Sequence, residues 1–384
     1  MRRQPLLLWH RWFGLLGAVW LFLIAATGSI LVFYEEIDRA LNPDLFTASS
    51  GAPQPLDRVA AAALAGHPDK FVRYIDIADN RRATHLVYLA QRPDAPEEAK
   101  ASAWQMFVDP ATARVLGARD YDAIDLSRRG ITSFVYKLHY SMHLGEWMAW
   151  LLGLLSLLWV VDHAVAAALS FPNAARWRES FRIRRAARGH KRIFDLHRAI
   201  GLWLFPVTLT LAVSGVYFNW HEEFKMAVNA ISPLTPRIDE QRQALAEPLL
   251  APPIGFDEAV GRAGSAQVDG LAFNAAKGLY WLRVYDQRDI DPYGRRWIFV
   301  DAHDGRIMSD THAADGSGGD VLLAWQFPLH SGKALGWPGR IAIFVTGIAT
   351  CMFVVTGLLM WARKQSARRT RRHGSASLAS IPAE

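Results

Sequence analysis

Cysteine is almost missing: Cys351 is the only one in 384 residues. One thiol excludes an internal disulfide framework, a thiolate zinc site and the Cys-x-x-Cys-His attachment of covalent haem. Charge is sparse as well, with Asp, Glu, Lys and Arg at 21% against about 25% in ordinary soluble chains. The polar segments hold no nucleophile motif, no Gly-rich phosphate loop and no cluster spaced to ligate a metal. Mean hydropathy is +0.05, too apolar for an ordinary soluble enzyme and too polar for a chain lying wholly in lipid.

The apolar residues that raise this average fall in four blocks, near 9–34, 147–169, 198–220 and 339–362. Each supplies the roughly 20 residues needed to cross a hydrocarbon core of about 30 Å. The first follows Met1-Arg2-Arg3 but exceeds the roughly 7–15 residues of a signal peptide's apolar region. Its near copy at 198–220 lies mid-chain, so both read as permanent spans. The segments "ARWRESFRIRRAARGHKR" and "WARKQSARRTRRH" are basic and place the middle loop and both ends on the cytoplasmic side. The expected layout is a span in 1–35, an outer domain in 36–140, a span in 141–169, a basic loop in 170–195, a span in 196–221, a second outer domain in 222–335, a span in 336–362 and a basic tail in 363–384. The net charge of +7 sits mostly in those juxtamembrane stretches, so the partner it implies is anionic membrane lipid and not nucleic acid.

The chain repeats itself. His197 lies 187 residues after His10, and the same offset carries Gly14 onto Gly201, Gly28 onto Gly215, Tyr34 onto His221 and Glu35-Glu36 onto Glu222-Glu223. It also carries "MHLG" onto "LHSG", setting His143 on His330, after which "GLLSLLWVVDH" matches "GIATCMFVVTG" at an offset of 194. Each unit reads span, outer segment, His, span, which makes two parallel repeats about an axis along the membrane normal. Such an axis would face His10 with His197 at the inner surface and His143 with His330 at the outer surface. Two facing imidazoles at each level are what a six-coordinate haem iron needs, and without a Cys-x-x-Cys-His such haems would be b-type. Gly14 and Gly201, four residues after their His, would leave room for a close neighbour or a flat macrocycle.

The same histidines can also be plain interfacial residues or helix caps. His163, whose copy is Gly357, sits beside Asp162 inside the second span: a ligand of the inner haem, a proton carrier oriented by Asp162, or a packed structural pair. His139 is a substitute outer ligand, sharing a helix face with His143. His221, at the outer end of the third span, can bind haem, face a substrate or sit at the interface. The 15 Trp read as interfacial anchors.

Each outer segment reads as a helix followed by strands. "LDRVAAAALAG" precedes "FVRYIDIA", "THLVYLA" and "AWQMFVD"; "FDEAVGRAG" precedes "LYWLRVYD" and "RWIFVD". The fold expected is therefore a four-helix membrane bundle carrying two small α+β domains. Asp109 and Asp301 open the tight turns "DPATAR" and "DAHDGR", which turn chemistry explains. His303, His312 and "DQRDIDP" are loop candidates for substrate contact.

These features together resemble the bacterial inner-membrane proteins with PepSY-associated transmembrane helices. The resemblance rests on "LHRAIGL" and "WHRWFGL", the span ends "TGSILVF" and "SGVYF", "FPLHSG" with "LGWPGR", "VTGLLMW" before Arg-Lys, and the turns "FVDPATARV" and "FVDAHDGRI". It implies four spans with b-type haems and two periplasmic PepSY-type domains. Members include ferric-siderophore reductases, so the expectation is a haem oxidoreductase with two haems b that passes electrons outward to a ferric siderophore or other ferric chelate. The donor would be quinol or a cytoplasmic reductase. The ligands would be His10, His197, His143, His330 and His163, with His139 and His221 as substitutes, and no residue is assigned a catalytic role. The alternatives are a non-enzymatic PepSY protein that binds a periplasmic partner, and a haem relay subunit serving a separate reductase.

Overall fold

The computed structural model describes residues 3–94, 103–171 and 173–379. The last five residues of the basic tail lie outside the described residues, as do the side chains beyond Ala367. The helices in chain order are α1 (Arg3–Leu16), α2 (Ala18–Leu31), α3 (Tyr34–Leu41), α4 (Leu56–Leu64), α5 (Ile131–Ser141), α6 (Glu146–Ser170), α7 (Trp177–Ser180), α8 (Gly189–Trp203), α9 (Phe205–Asn219), α10 (His221–Asn229), α11 (Ile238–Gln241), α12 (Phe256–Gly261), α13 (Gly318–Ser331) and α14 (Gly336–Ala379). The strands are β1 (Lys70–Asp76), β2 (His85–Gln91), β3 (Trp104–Val108), β4 (Val115–Asp120), β5 (Val268–Asn274), β6 (Leu279–Val284), β7 (Arg296–Asp301) and β8 (Ile307–His312).

Two stretches, Glu146–Ser170 and Lys333–Ala367, are helical and long and apolar enough to cross a membrane. The other two expected spans are broken. α1 and α2 meet at 62°, and α8 and α9 at 68°. The breaks fall at equivalent addresses, since the offset of 187 takes Gly17 onto Leu204. At the second break Pro206 occupies the start of α9, where its missing N–H and fixed φ favour a new helix over a continued one. α2 has 14 residues, about 21 Å of helix, so α1 must supply part of the crossing at a slant.

α2 packs along α14, and α6 along α9. Small residues set the approach: a Cβ at Gly347 would stand 2.1 Å from Ser29 Oγ, and one at Gly215 would stand 2.8 Å from Ser156 Oγ. Gly14 and Gly201 do not serve as close-packing points, because a Cβ on either meets no atom within 4 Å.

Outside the spans, all eight strands form one antiparallel sheet in the order β4-β3-β2-β1-β5-β6-β7-β8. This corrects the expectation of two discrete domains. β1 and β5 pair with each other (Tyr74 opposite Ala272, Ile75 opposite Leu271, Asp76 opposite Gly270), so neither half keeps an open edge at the middle. The cores merge too: Leu56 of the first half packs into the cluster of Leu271, Tyr280 and Leu282, while Phe256 of the second touches the cluster of Val59, Ile75 and Val87.

The N-termini of α4 and α12 are capped across this seam. Asp257 accepts from the N–H groups of Leu56 and Asp57 at 2.8 and 2.9 Å, and Asp57 accepts from those of Phe256 and Asp257 at 2.7 and 3.3 Å. Each helix start thus satisfies its free donors with the other half's carboxylate. Strands β4, β5 and β8 escape the sequence reading because "VLGARD", "VDGLAFN" and "IMSDTH" lack clean alternation. The turns behave as read: Asp109 accepts from the N–H groups of Ala111 and Thr112, and Asp301 from that of His303.

Candidate functional site

His10 on α1 and His197 on α8 come together, their ring centroids 6.1 Å apart. His10 Nδ1 lies 3.0 Å from both carboxylate oxygens of Asp162 on α6, and His197 Nδ1 lies 2.9 Å from Thr356 Oγ1 on α14. The Thr356 hydroxyl already donates to Met352 O at 2.8 Å, so it accepts from His197 and fixes the proton on Nδ1. The sequence pairing of these two histidines is seen in the fold, together with two partners on the other spans.

The outer pair differs from the one expected. His139 on α5, not His143, stands against His330 on α13, with centroids 6.2 Å apart. His139 Nδ1 is 3.0 Å from Thr27 Oγ1, and His330 Nδ1 is 2.7 Å from Ser214 Oγ. Thr27 plus 187 is 214, so these are matching contacts, and His139 rather than His143 is the counterpart of His330. The register slip therefore begins before residue 330, where the offset is already 191, and reaches 194 only after it. His143 is turned away: it follows a left-handed Met142, is itself at φ 58°, stacks on Phe134 at 4.6 Å and donates from Nε2 to Phe134 O at 2.8 Å.

His163 is buried, with Nδ1 2.7 Å from Trp159 O and Nε2 3.0 Å from Thr208 Oγ1. It is a packed residue beside Asp162, whose carboxylate goes to His10 instead. His221 is exposed at the start of α10 against Tyr217, with centroids 4.9 Å apart. His312 is not a free loop residue, because it is buried with Nε2 3.2 Å from Asp289. The "DQRDIDP" charges are likewise spent locally: Arg288 binds Asp286 and Asp315, and Asp291 binds Arg295.

The expectation of haem b is corrected by these placements. Among the described residues no group of three or more His, Cys, Asp or Glu is placed to hold a metal ion, and Cys351 has no second cysteine. The outer ligand pair as read, His143 with His330, does not exist, since His143 is committed to its own helix. What the four paired imidazoles do in the fold is tie α1, α8, α5 and α13 to hydroxyl or carboxylate groups on neighbouring spans.

The sequence reading missed a second polar site, where the sheet meets the outer ends of the spans. Arg119 of β4 grips Asp38 of α3 through both guanidinium ends at 2.9 Å, and both side chains are 3% exposed. Arg119 also donates to Gln105 and Thr132, so the guanidinium is hydrogen-bonded on several sides, as a buried ion needs. Beside it, Glu35 accepts from Tyr293 Oη at 2.5 Å and Lys333 Nζ at 2.9 Å, and Glu36 accepts from Arg340 at 2.7 Å. Burial alone would raise the Glu35 carboxyl, but Lys333 and Tyr293 hold it down to about 2. Arg283 bridges Asp76 and Asp269 at 2.9 and 2.7 Å, tying β6 to β1 and β5 across the seam on this same face. The repeated Glu-Glu pair after an apolar run was the one signal available for this site. Arg119 and Tyr293 are too far away in sequence to have shown it.

The profile of the family described as PepSY-associated TM region matches residues 7–364. The chain belongs to this family. The match takes in the whole of the sheet and all but a few end residues of the transmembrane stretches, so the PepSY-associated region here includes both the bundle and its extramembrane part. No curated protein matches the chain.

Proposed function

We propose that this chain is a non-enzymatic PepSY-type protein of the bacterial inner membrane, built from two repeated halves, whose sheet on the periplasmic side binds a protein partner. The observation that carries this reading is the junction. Arg119 of β4 grips Asp38 and Tyr293, between β6 and β7, reaches Glu35, while α3 is itself pinned to the last span by Glu35–Lys333 and Glu36–Arg340, so a partner held on the sheet is held rigidly against the membrane. The basic loop at 170–195 supports this orientation, and exposed Trp12, Trp147, Trp203 and Trp337 suit the headgroup level. The reductase reading loses its electron carrier with the haem correction, and family membership by itself favours no redox chemistry.

The test is photo-crosslinking in intact cells from benzoylphenylalanine placed at exposed sites on the helix face of the sheet and, as control, on α14. Capture of one discrete periplasmic protein from the sheet positions alone is the expected result. Purified protein showing two haems per chain, or reducing a ferric chelate unaided, would overturn the reading.

A further inference from the structure

On the face of the sheet turned away from the spans, a cavity of about 500 Å³ opens at one end of the β1–β5 seam. Its apolar walls come from both halves, with Pro53, Leu56 and Ile77 on one side and Val260 and Val268 on the other. A cavity of this size suits a small ligand or a side chain with its adjoining backbone.

The polar lining is nearly all committed. Asp79 accepts from the side chain of Arg81 and from Tyr285 Oη. Asp257 caps α4. An anion would find no free cation among these groups, and a cation no free carboxylate.

His85 is the exception. It is 3% exposed, lines the cavity, and its Nε2 has no hydrogen-bond partner. The other ring nitrogen accepts from the backbone N–H of Ala78 at 3.0 Å. A backbone N–H can only donate, so Nδ1 is bare and the proton of the neutral ring sits on Nε2. Burial lowers the ring's pKa to about 4, so at neutral pH this is an uncharged donor. An unmet buried donor is unfavourable and is relieved by an incoming acceptor.

We propose that this cavity seats an apolar side chain from a peptide segment of the partner, whose main-chain carbonyl accepts the His85 Nε2 hydrogen. The assignment rests on the partner-binding reading and adds the place and chemistry of contact. A peptide carbonyl is neutral, as the uncharged donor and balanced walls require, and stands next to an aliphatic side chain, as the walls require.

The experiment uses the full chain in lipid nanodiscs and N-acetyl-leucine N-methylamide as probe, with binding read by saturation-transfer NMR. Two variants accompany it. His85→Asn keeps an acceptor for the Ala78 N–H and removes the Nε2 donor; Ala83→Trp, at an exposed rim position, fills the mouth without touching the core. Saturable binding is expected for the wild type, weakened about tenfold in His85→Asn as for one lost hydrogen bond and abolished in Ala83→Trp. No wild-type binding, or undiminished binding in either variant, overturns the assignment. A partner that crosslinks to the sheet while the cavity ignores the amide would overturn this assignment alone; amide binding with no partner captured would overturn only the broader reading.

Discussion

The helices that follow the first and third spans occupy the same address in the two halves, yet they do opposite work. An offset of 187 carries Tyr34-Glu35-Glu36 and Asp38 of α3 onto His221-Glu222-Glu223 and Lys225 of α10. In α3 each of the three carboxylates is engaged: Asp38 by Arg119, Glu35 by Lys333 and Tyr293, Glu36 by Arg340. In α10 the Glu222 side chain is 75% exposed and reaches only Lys225, at 3.6 Å, while Lys225 turns to Glu240. The same acidic doublet is an anchor where β4 and the α13–α14 corner close over it and a solvated surface where nothing does. Through these contacts α3 fastens both halves of the sheet to the bundle.

The sharpest way to break this comparison is to remove one cation from each helix's network. Arg119→Met strands a buried Asp38 carboxylate and is expected to cost about 3–5 kcal/mol. Lys225→Met removes a pair whose acids, Glu240 and Glu222, are 49% and 75% exposed, and should cost within about 1 kcal/mol. Thermal unfolding of the detergent-solubilised protein, followed by tryptophan fluorescence, reads both. Equal shifts would mean that α3 is no more of an anchor than α10.

The seam supplies a contrast in which the halves should match. Asp57→Ala and Asp257→Ala each strip two backbone donors of their acceptor, on α12 and α4 respectively, and are expected to cost about 1–2 kcal/mol apiece. Unequal losses in the same unfolding assay would show that one half carries the joint. The Asp57 carboxyl is pushed up by burial and by the adjoining Asp257, so its contribution is fullest below the unfolded value and declines as pH rises.

Much of this was legible in the chain. The four apolar blocks, the positions of β1, β2, β3, β6 and β7 and the meeting of His10 with His197 follow from apolar length, alternation and offset, all of which are local or periodic signals. What escaped was relational. The register that set His143 on His330 aligned "MHLG" with "LHSG" by letters, whereas the fold aligns the hydroxyls those rings bond to, Thr27 and Ser214. The breaks at Gly17 and Leu204 were hidden because an apolar run has the same composition bent or straight. The pairing of β1 with β5 joins strands almost 200 residues apart, and no spacing rule points to an edge being closed from within the same chain.

Acid should separate the two helices again, in a smaller way. Glu35 is held down to about 2 by Lys333 and Tyr293 against the opposing effect of burial. A depressed carboxyl stabilises the folded state above its unfolded value of 4.5 and loses that contribution as pH falls towards 2. The junction is expected to loosen across this window, seen as faster protease cleavage between α3 and the sheet. Glu35→Gln should flatten that part of the profile, while Glu222→Gln leaves it unchanged. The amplitude is modest, since the Glu35 side chain is 40% exposed and solvent screens it.

The smallest expected effects distinguish the histidines. His139→Ala and His330→Ala each remove a hydrogen bond between helices, worth about 0.6 kcal/mol on average inside membranes. His143→Gly should come out near zero for a different reason. It loses the stack on Phe134 and the bond to its carbonyl, but it frees a residue held at φ 58°, a conformation that costs a side chain about 1 kcal/mol and glycine nothing. A loss at His143 as large as that at His330 would return His143 to the outer pair and restore the register read from the letters alone.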